Sequence, residues 1–218
     1  MKKTLLILSA VLFSISGFAQ IKPLTTVKVD SLVSVNLPEK YTRKDTLGQT
    51  ILSGNSDYGY MVVIRAPNAN TDPLKKEKDL NKVLKDYIAG IKGQSSGAAL
   101  NVRDTTLGQL KAKTFTLEVD EGQGKQYRNF ILLYTQDVTY TFEYYFEAAR
   151  ETLIKDEYKA FTSSIKISDQ LHRTDQYLSN AKGMSSGAKI GIYGGGALLL
   201  IIIIAVIVSK RKKQQEAA

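Results

Sequence analysis

Cysteine is missing from all 218 residues, and histidine occurs once, at His172. The first absence excludes disulfide staples, a thiolate nucleophile, thiolate metal sites and a cysteine-linked lipid anchor. A domain without such staples must bury enough apolar surface to stand unaided, which about 150 residues can do. The second absence leaves little for acid–base chemistry. His172 lies in the polar segment 168–186, and a catalytic base needs a supporting shell that such a segment does not provide, so it reads as a solvated linker residue. No Gly-X-Ser-X-Gly elbow is present. No Asn-X-Ser/Thr acceptor occurs either, which favours a bacterial exported protein over a eukaryotic cell-surface one.

Basic charge is scarcer than the net +9 implies. Lys2 and Lys3 belong to the N-terminal leader described below, and Lys210, Arg211, Lys212 and Lys213 to a tail. Residues 21–189 then hold 24 Lys plus Arg against 20 Asp plus Glu, a net of +4. That excess is too mild to argue for nucleic acid as a partner.

What the chain does contain is one long apolar run. Residues 190–208 carry no charge, end in a Leu-Ile-Val block and are followed by the four basic residues. A bilayer core of about 30 Å needs roughly 20 apolar residues in a helix, so 190–208 is predicted to be a transmembrane helix, with the membrane bilayer itself as one partner. At the other end, Met1-Lys2-Lys3 precedes an apolar stretch over 5–15 and Gly17-Phe18-Ala19, the pattern of a signal peptide cut before Gln20. The positive-inside preference then puts 209–218 in the cytoplasm as a basic tail. The expected organisation is signal peptide 1–19, periplasmic domain 20–168, flexible linker 169–189, transmembrane helix 190–208 and tail 209–218, in a bacterial inner membrane.

Within the domain, period-two patterns come first. Residues 32–37 alternate up to Pro38. Residues 41–45 and 50–53 flank Leu47-Gly48-Gln49 as a hairpin, and Met61-Val62-Val63-Ile64 reads as a buried strand. The period then changes. Asp72 is the expected N-cap, Pro73 the first helical residue, and Leu80, Val83, Leu84, Tyr87, Ile88 and Ile91 form one helix face, with the lysines of the segment mostly elsewhere and Gly93 as the stop. Four further strands are predicted at 99–104, 111–119, 126–134 and 138–146, then a helix over 150–163 and a short closing element at 165–167. The near-repeats at 45–49 and 104–109 read as shared turn chemistry rather than duplication.

The order meander, helix, four-strand meander, helix, with Val33-Ser34-Val35-Asn36-Leu37-Pro38 early and Phe161-Thr162-Ser163-Ser164-Ile165-Lys166 late, resembles the PsbP-like superfamily over about 25–168. That group includes an extrinsic photosystem II subunit, a yeast Ran-binding relative and many bacterial envelope proteins. The resemblance implies an α+β fold, an antiparallel β-sheet with helices packed on its faces, here joined to one C-terminal transmembrane helix. It implies a role in binding or assembly, with no shared catalytic set to carry over.

Chemistry in the domain is thin. Glu121-Gly122-Gln123-Gly124-Lys125 lacks the Walker spacing and reads as a hairpin turn. Glu118 with Asp120, and Glu143 with Glu147, read as solvated strand faces rather than acid–base pairs or calcium ligands. No catalytic residue, metal ligand or cofactor is expected. The tyrosines of the second meander are more informative, because tyrosine offers both apolar area and a hydroxyl to a partner. Tyr140 and Tyr144 read as core, Tyr145 stands open between core and interface, and Tyr127 is a candidate interface residue. Beside and within the apolar run, Gly187, Gly191 and Gly195 recur every four residues and leave a face that permits close helix contact and a homodimer. The expectation is an anchored envelope protein that works by binding another envelope protein as an accessory or assembly factor. The alternative is a hydrolase or small-ligand-binding protein with an unrecognised site.

Overall fold

A computed structural model describes residues 23–69, 72–120, 122 and 124–178. The strands are β1 Leu24–Lys28, β2 Val33–Pro38, β3 Thr42–Thr46, β4 Gln49–Asn55, β5 Tyr60–Pro67, β6 Ala98–Leu107, β7 Leu110–Asp120, β8 Lys125–Tyr134, β9 Val138–Glu147 and β10 Lys166–Ile167. Two helices, α1 Glu77–Ser95 and α2 Lys155–Ser163, interrupt them. Seven strands form one antiparallel sheet in the order β3-β4-β5-β9-β8-β7-β6, and β1-β2-β10 form a second. The fold is therefore α+β with an antiparallel sheet sandwiched between other elements.

Both faces of the large sheet are covered. Leu80, Val83, Leu84, Ile88 and Ile91 of α1 pack with Ile51, Val62, Ile64, Phe115, Leu117, Phe130 and Leu132. Val33, Val35 and Leu37 of β2 and Phe161 of α2 pack with Leu52, Met61, Val63, Ile131, Leu133 and Phe142 on the opposite face. This explains why β5 reads as an unbroken apolar run, since alternate residues enter different cores. The sheet ends are protected by different means. Thr42-Arg43-Lys44-Asp45-Thr46 is charged and largely exposed along β3, and β6 carries a register irregularity between Leu100 and Arg103 with Asn101 at φ 54°. Each device discourages pairing with a foreign strand.

The two near-repeats are both hairpin loops of two residues, one residue out of phase. In the first, Thr46 pairs Gln49 across Leu47-Gly48, both at positive φ, the type I′ pattern. In the second, Leu107 pairs Leu110 and only Gly108 of the loop has positive φ, the II′ pattern. The same string thus serves two turn geometries, in accord with shared turn chemistry.

Strand β1 has no counterpart in the sequence reading, β6 runs past the expected 104 to Leu107, and three helix boundaries differ as well. Helix α1 begins at Glu77 rather than after Asp72. The carbonyl of Leu74 accepts the N–H of Leu178 at 2.8 Å, which holds that segment out of the helix, and the carboxylate of Asp79 accepts the N–H of Lys76 at 3.0 Å. The helix also runs through Gly93 to Ser95 and ends on Ser96 in the left-handed region, φ 52°. Helix α2 starts at Lys155, with Ala148–Arg150 a separate 3-10 turn.

The largest difference concerns the expected linker. Residues 168–178 are part of the domain. Gln176 is 0% exposed, with Nε2 donating to the carbonyls of Lys111 (2.7 Å) and Tyr134 (2.8 Å) and Oε1 accepting the N–H of Lys111 (2.8 Å). Tyr177 is buried in the α1 core, and the N–H of Gln136 donates to the carbonyl of Asp175. Polar composition concealed this strap because its hold on the sheet is through amide hydrogen bonds as much as apolar area. His172 lies on it, exposed, at the start of a single 3-10 turn. Among the described residues no helix is long and apolar enough to cross a membrane. The leader 1–19, residues 179–189, the apolar run 190–208 with Gly187, Gly191 and Gly195 beside and within it, and the tail 209–218 lie outside the described residues.

Candidate functional site

Antiparallel register brings the start of β5 and the start of β8 beside the end of β9. Tyr60 pairs Tyr145, Tyr127 pairs Phe146 and Gln126 pairs Glu147. A pocket of about 210 Å³ opens there, lined by Tyr58, Gly59, Tyr60, Gln126, Tyr127, Tyr145, Phe146, Glu147 and Arg150. Tyr127 and Tyr145, the two candidate interface residues, thus line one cavity, although they project from opposite faces of the sheet. Tyr60 meets Tyr145 edge-on with ring centroids 6.1 Å apart, and Tyr127 lies 5.5 Å from Phe146. Arg150 forms an ion pair with Glu147 at 3.6 Å and donates to the carbonyl of Tyr58 at 3.4 Å, which closes the rim.

Gly59 is required by this packing. A Cβ there would lie 2.4 Å from the carbonyl oxygen of Tyr145 and 2.8 Å from the Tyr144 ring. Only a residue without a side chain lets β5 and β9 approach closely enough to pair Tyr60 with Tyr145.

Behind the Tyr145 wall is a buried polar cluster. The Tyr145 hydroxyl donates to Glu143 Oε2 at 2.5 Å, and the Arg128 guanidinium sits over the Tyr145 ring, 4.7 Å from its centroid. Glu143 is 1% exposed, and burial pushes its carboxyl up to about 7 against the opposing pull of the Tyr145 hydrogen bond and the Arg128 charge. Burial also raises the Tyr145 phenol well above its usual range. Arg128 Nε has no hydrogen-bond partner among the described residues. The reading of Glu143 as a solvated strand residue is therefore overturned, because α1 covers the face on which it lies. The same face of β9 carries Thr141, whose hydroxyl meets that of Tyr87 at 3.1 Å, and Thr139, which donates to Asn68 Oδ1 at 2.8 Å.

Of the other carboxylates singled out, Glu118 pairs with Lys125 at 3.1 Å and Glu147 with Arg150, so each is held by a cation at the surface. The hydrogen bond to Glu118 raises the Tyr127 phenol above its usual value. Tyr140 and Tyr144 are core residues, 1% and 0% exposed. Asp120 at the end of β7 pairs Lys125 at the start of β8, and Gly122 and Gly124 between them have positive φ. Among the described residues no three His, Asp or Glu side chains converge as a metal site. Sequence reading missed Tyr58, Tyr60 and Arg150. The string Tyr58-Gly59-Tyr60 was the available signal, an aromatic pair about the one residue able to approach β9.

No family model matches the sequence, and no curated protein does. Similarity is found among solved structures. The solution structure of cyanobacterial PsbP (CyanoP) from Synechocystis sp. PCC 6803 superposes with a TM-score of 0.52 at 14% identity, and the match covers 69% of this chain and 96% of that one. The chain has the PsbP fold. Two crystal structures are similar at lower scores. LpqN of Mycobacterium tuberculosis, described as involved in cell envelope biogenesis, gives 0.45 at 11% identity over 67% of this chain and 91% of that one. A Bacteroides thetaiotaomicron protein gives 0.40 at 8% identity over 64% and 46%. On the PsbP fold described here, the pocket lies at the end of β9, where three strands of the large sheet meet the 3-10 turn bearing Arg150.

Proposed function

We propose that this protein is an accessory or assembly factor of the bacterial envelope, anchored in the inner membrane by residues 190–208, whose PsbP-fold domain binds another envelope protein. The pocket at the end of β9 carries this reading. At about 210 Å³ it is smaller than the roughly 300–1,000 Å³ usual for small-molecule sites, and so it suits a single inserted side chain. Four tyrosines and Arg150 are among its nine lining residues, and tyrosine and arginine are among the residue types that dominate binding energy at protein interfaces. The domain works by binding and not by turnover in this reading.

The second reading, a hydrolase or small-ligand-binding protein, is favoured by one observation. Glu143 has a carboxyl tuned to about 7 beside the pocket, as general acids do. Against it, Glu143 is buried behind Tyr145, its Oε2 accepts the tyrosine hydroxyl, and it does not line the cavity. Affinity capture of the tagged full chain from native membranes in mild detergent separates the two. A stoichiometric envelope protein lost on Tyr127→Ala supports the binding reading. Capture unchanged by that substitution, together with turnover abolished by Glu143→Gln, overturns it.

A further inference from the structure

The solvent face of α1 is a stripe of lysines. Lys78, Lys82, Lys85 and Lys92 recur at spacings of four, three and seven, all exposed, opposite the side that packs on the sheet. None of them is in an ion pair among the described residues. Of the three acids of α1, Asp79 is buried at its start and Glu77 bonds Lys111 and Tyr177, so only Asp86, partly exposed four residues after Lys82, offsets the stripe.

The end of the described chain lies at the same place. Leu178 is hydrogen-bonded to Leu74, directly before Lys75 and Lys76, so the described chain ends beside the first turn of α1. Eleven residues, 179–189, separate it from the apolar run at 190, and eleven residues reach at most about 40 Å. The stripe from Lys78 to Lys92 occupies about 21 Å of helix beginning at that exit. A domain tethered so closely meets the bilayer at a high effective concentration, and the lysine stripe begins beside the tether.

We infer that the lysine face of α1 is a docking surface for the anionic lipid headgroups of the membrane that holds residues 190–208. The inference rests on the anchored reading above. Docked in this way, the long axis of α1 lies along the bilayer. The pocket, at the end of β9, then keeps a fixed orientation relative to the membrane and to any partner embedded in it.

Absence of cysteine supplies the test. Ala89→Cys places a single labelling site among these lysines in the full chain, which is reconstituted in nanodiscs of phosphatidylcholine with or without phosphatidylglycerol. Energy transfer from this label to a headgroup dye is expected to rise several-fold on the anionic discs. The rise should vanish at 1 M salt, where the screening length shrinks to about 3 Å, and in a chain also carrying Lys78→Gln, Lys82→Gln, Lys85→Gln and Lys92→Gln. Equal transfer on both lipids, or a rise that survives the four substitutions, overturns the docking. So does a rise seen only on adding an acidic protein. Extraction of the chain by alkaline carbonate overturns the anchor and the docking together, whereas a carbonate-resistant chain with equal transfer overturns the docking alone.

Discussion

On one face of β9, Tyr140, Phe142 and Tyr144 enter an aromatic and aliphatic layer beneath α2 and the small sheet. On the other, Thr139, Thr141 and Glu143 are equally buried beneath α1. The first face excludes water with apolar area, and its polar tip at Tyr140 is satisfied by donation to Asp30 at 2.6 Å. The second excludes water only because each polar group has a named partner: Asn68, Tyr87 or Tyr145. Burial is therefore the same and its chemistry opposite. The apolar face is intolerant of lost volume. The polar face is specified by geometry, and its carboxyl leads to the wall of the pocket.

The sharpest way to test this contrast is to remove volume from the apolar face. Phe142→Ala should destabilise the domain by about 3–5 kcal/mol, read from urea denaturation, with a loss independent of pH. A loss below about 1 kcal/mol would show that this face is loosely packed and break the comparison.

The polar face should respond to protons. The Glu143 carboxyl is raised from its ordinary 4.5 to about 7, so the fold favours its neutral form. Its contribution is complete below about pH 4.5 and is lost as pH rises through 7, by up to about 3 kcal/mol. Denaturation midpoints should decline across that window, and Glu143→Gln should flatten the decline. The raised carboxyl acts in a window distinct from that of Asp45, Glu77 and Glu118, whose carboxyls are held below their usual values by cation or hydroxyl partners.

The strap extends the comparison to the sheet margin. Gln176→Ala leaves the N–H of Lys111 and the carbonyls of Lys111 and Tyr134 without partners. It should cost about 2 kcal/mol and raise amide exchange over 168–178. Unchanged exchange would mean that the strap contributes little. The smallest effect belongs to Tyr87→Phe, which removes one hydroxyl from the Thr141 pair and should cost about 1 kcal/mol by the same assay.

The contrast also shows how far the sequence could be read. Alternation along 138–146 puts Val138, Tyr140, Phe142, Tyr144 and Phe146 on one face and Thr139, Thr141, Glu143 and Tyr145 on the other, as in the structure, and the continuous run of β5 announced burial. Alternation did not reveal that Thr139, Thr141 and Glu143 are covered, because period two reports which residues share a face and not what lies over it. The register that pairs Tyr60 with Tyr145 joins residues 85 positions apart, so the pocket had no local signature beyond Tyr58-Gly59-Tyr60.

Strand periodicity, the helical face of α1 and the aromatic composition of the second meander follow from interactions within a few residues, and the sequence alone determined them. So did the meander-helix-meander-helix order that resembles PsbP. The late start of α1, the packing of the strap, the tuning of Glu143 and the joining of Tyr127 and Tyr145 in one cavity were decided by tertiary structure. Each depends on a hydrogen bond, a covering helix or a strand register between distant segments, and local propensity carries no information about where those segments meet.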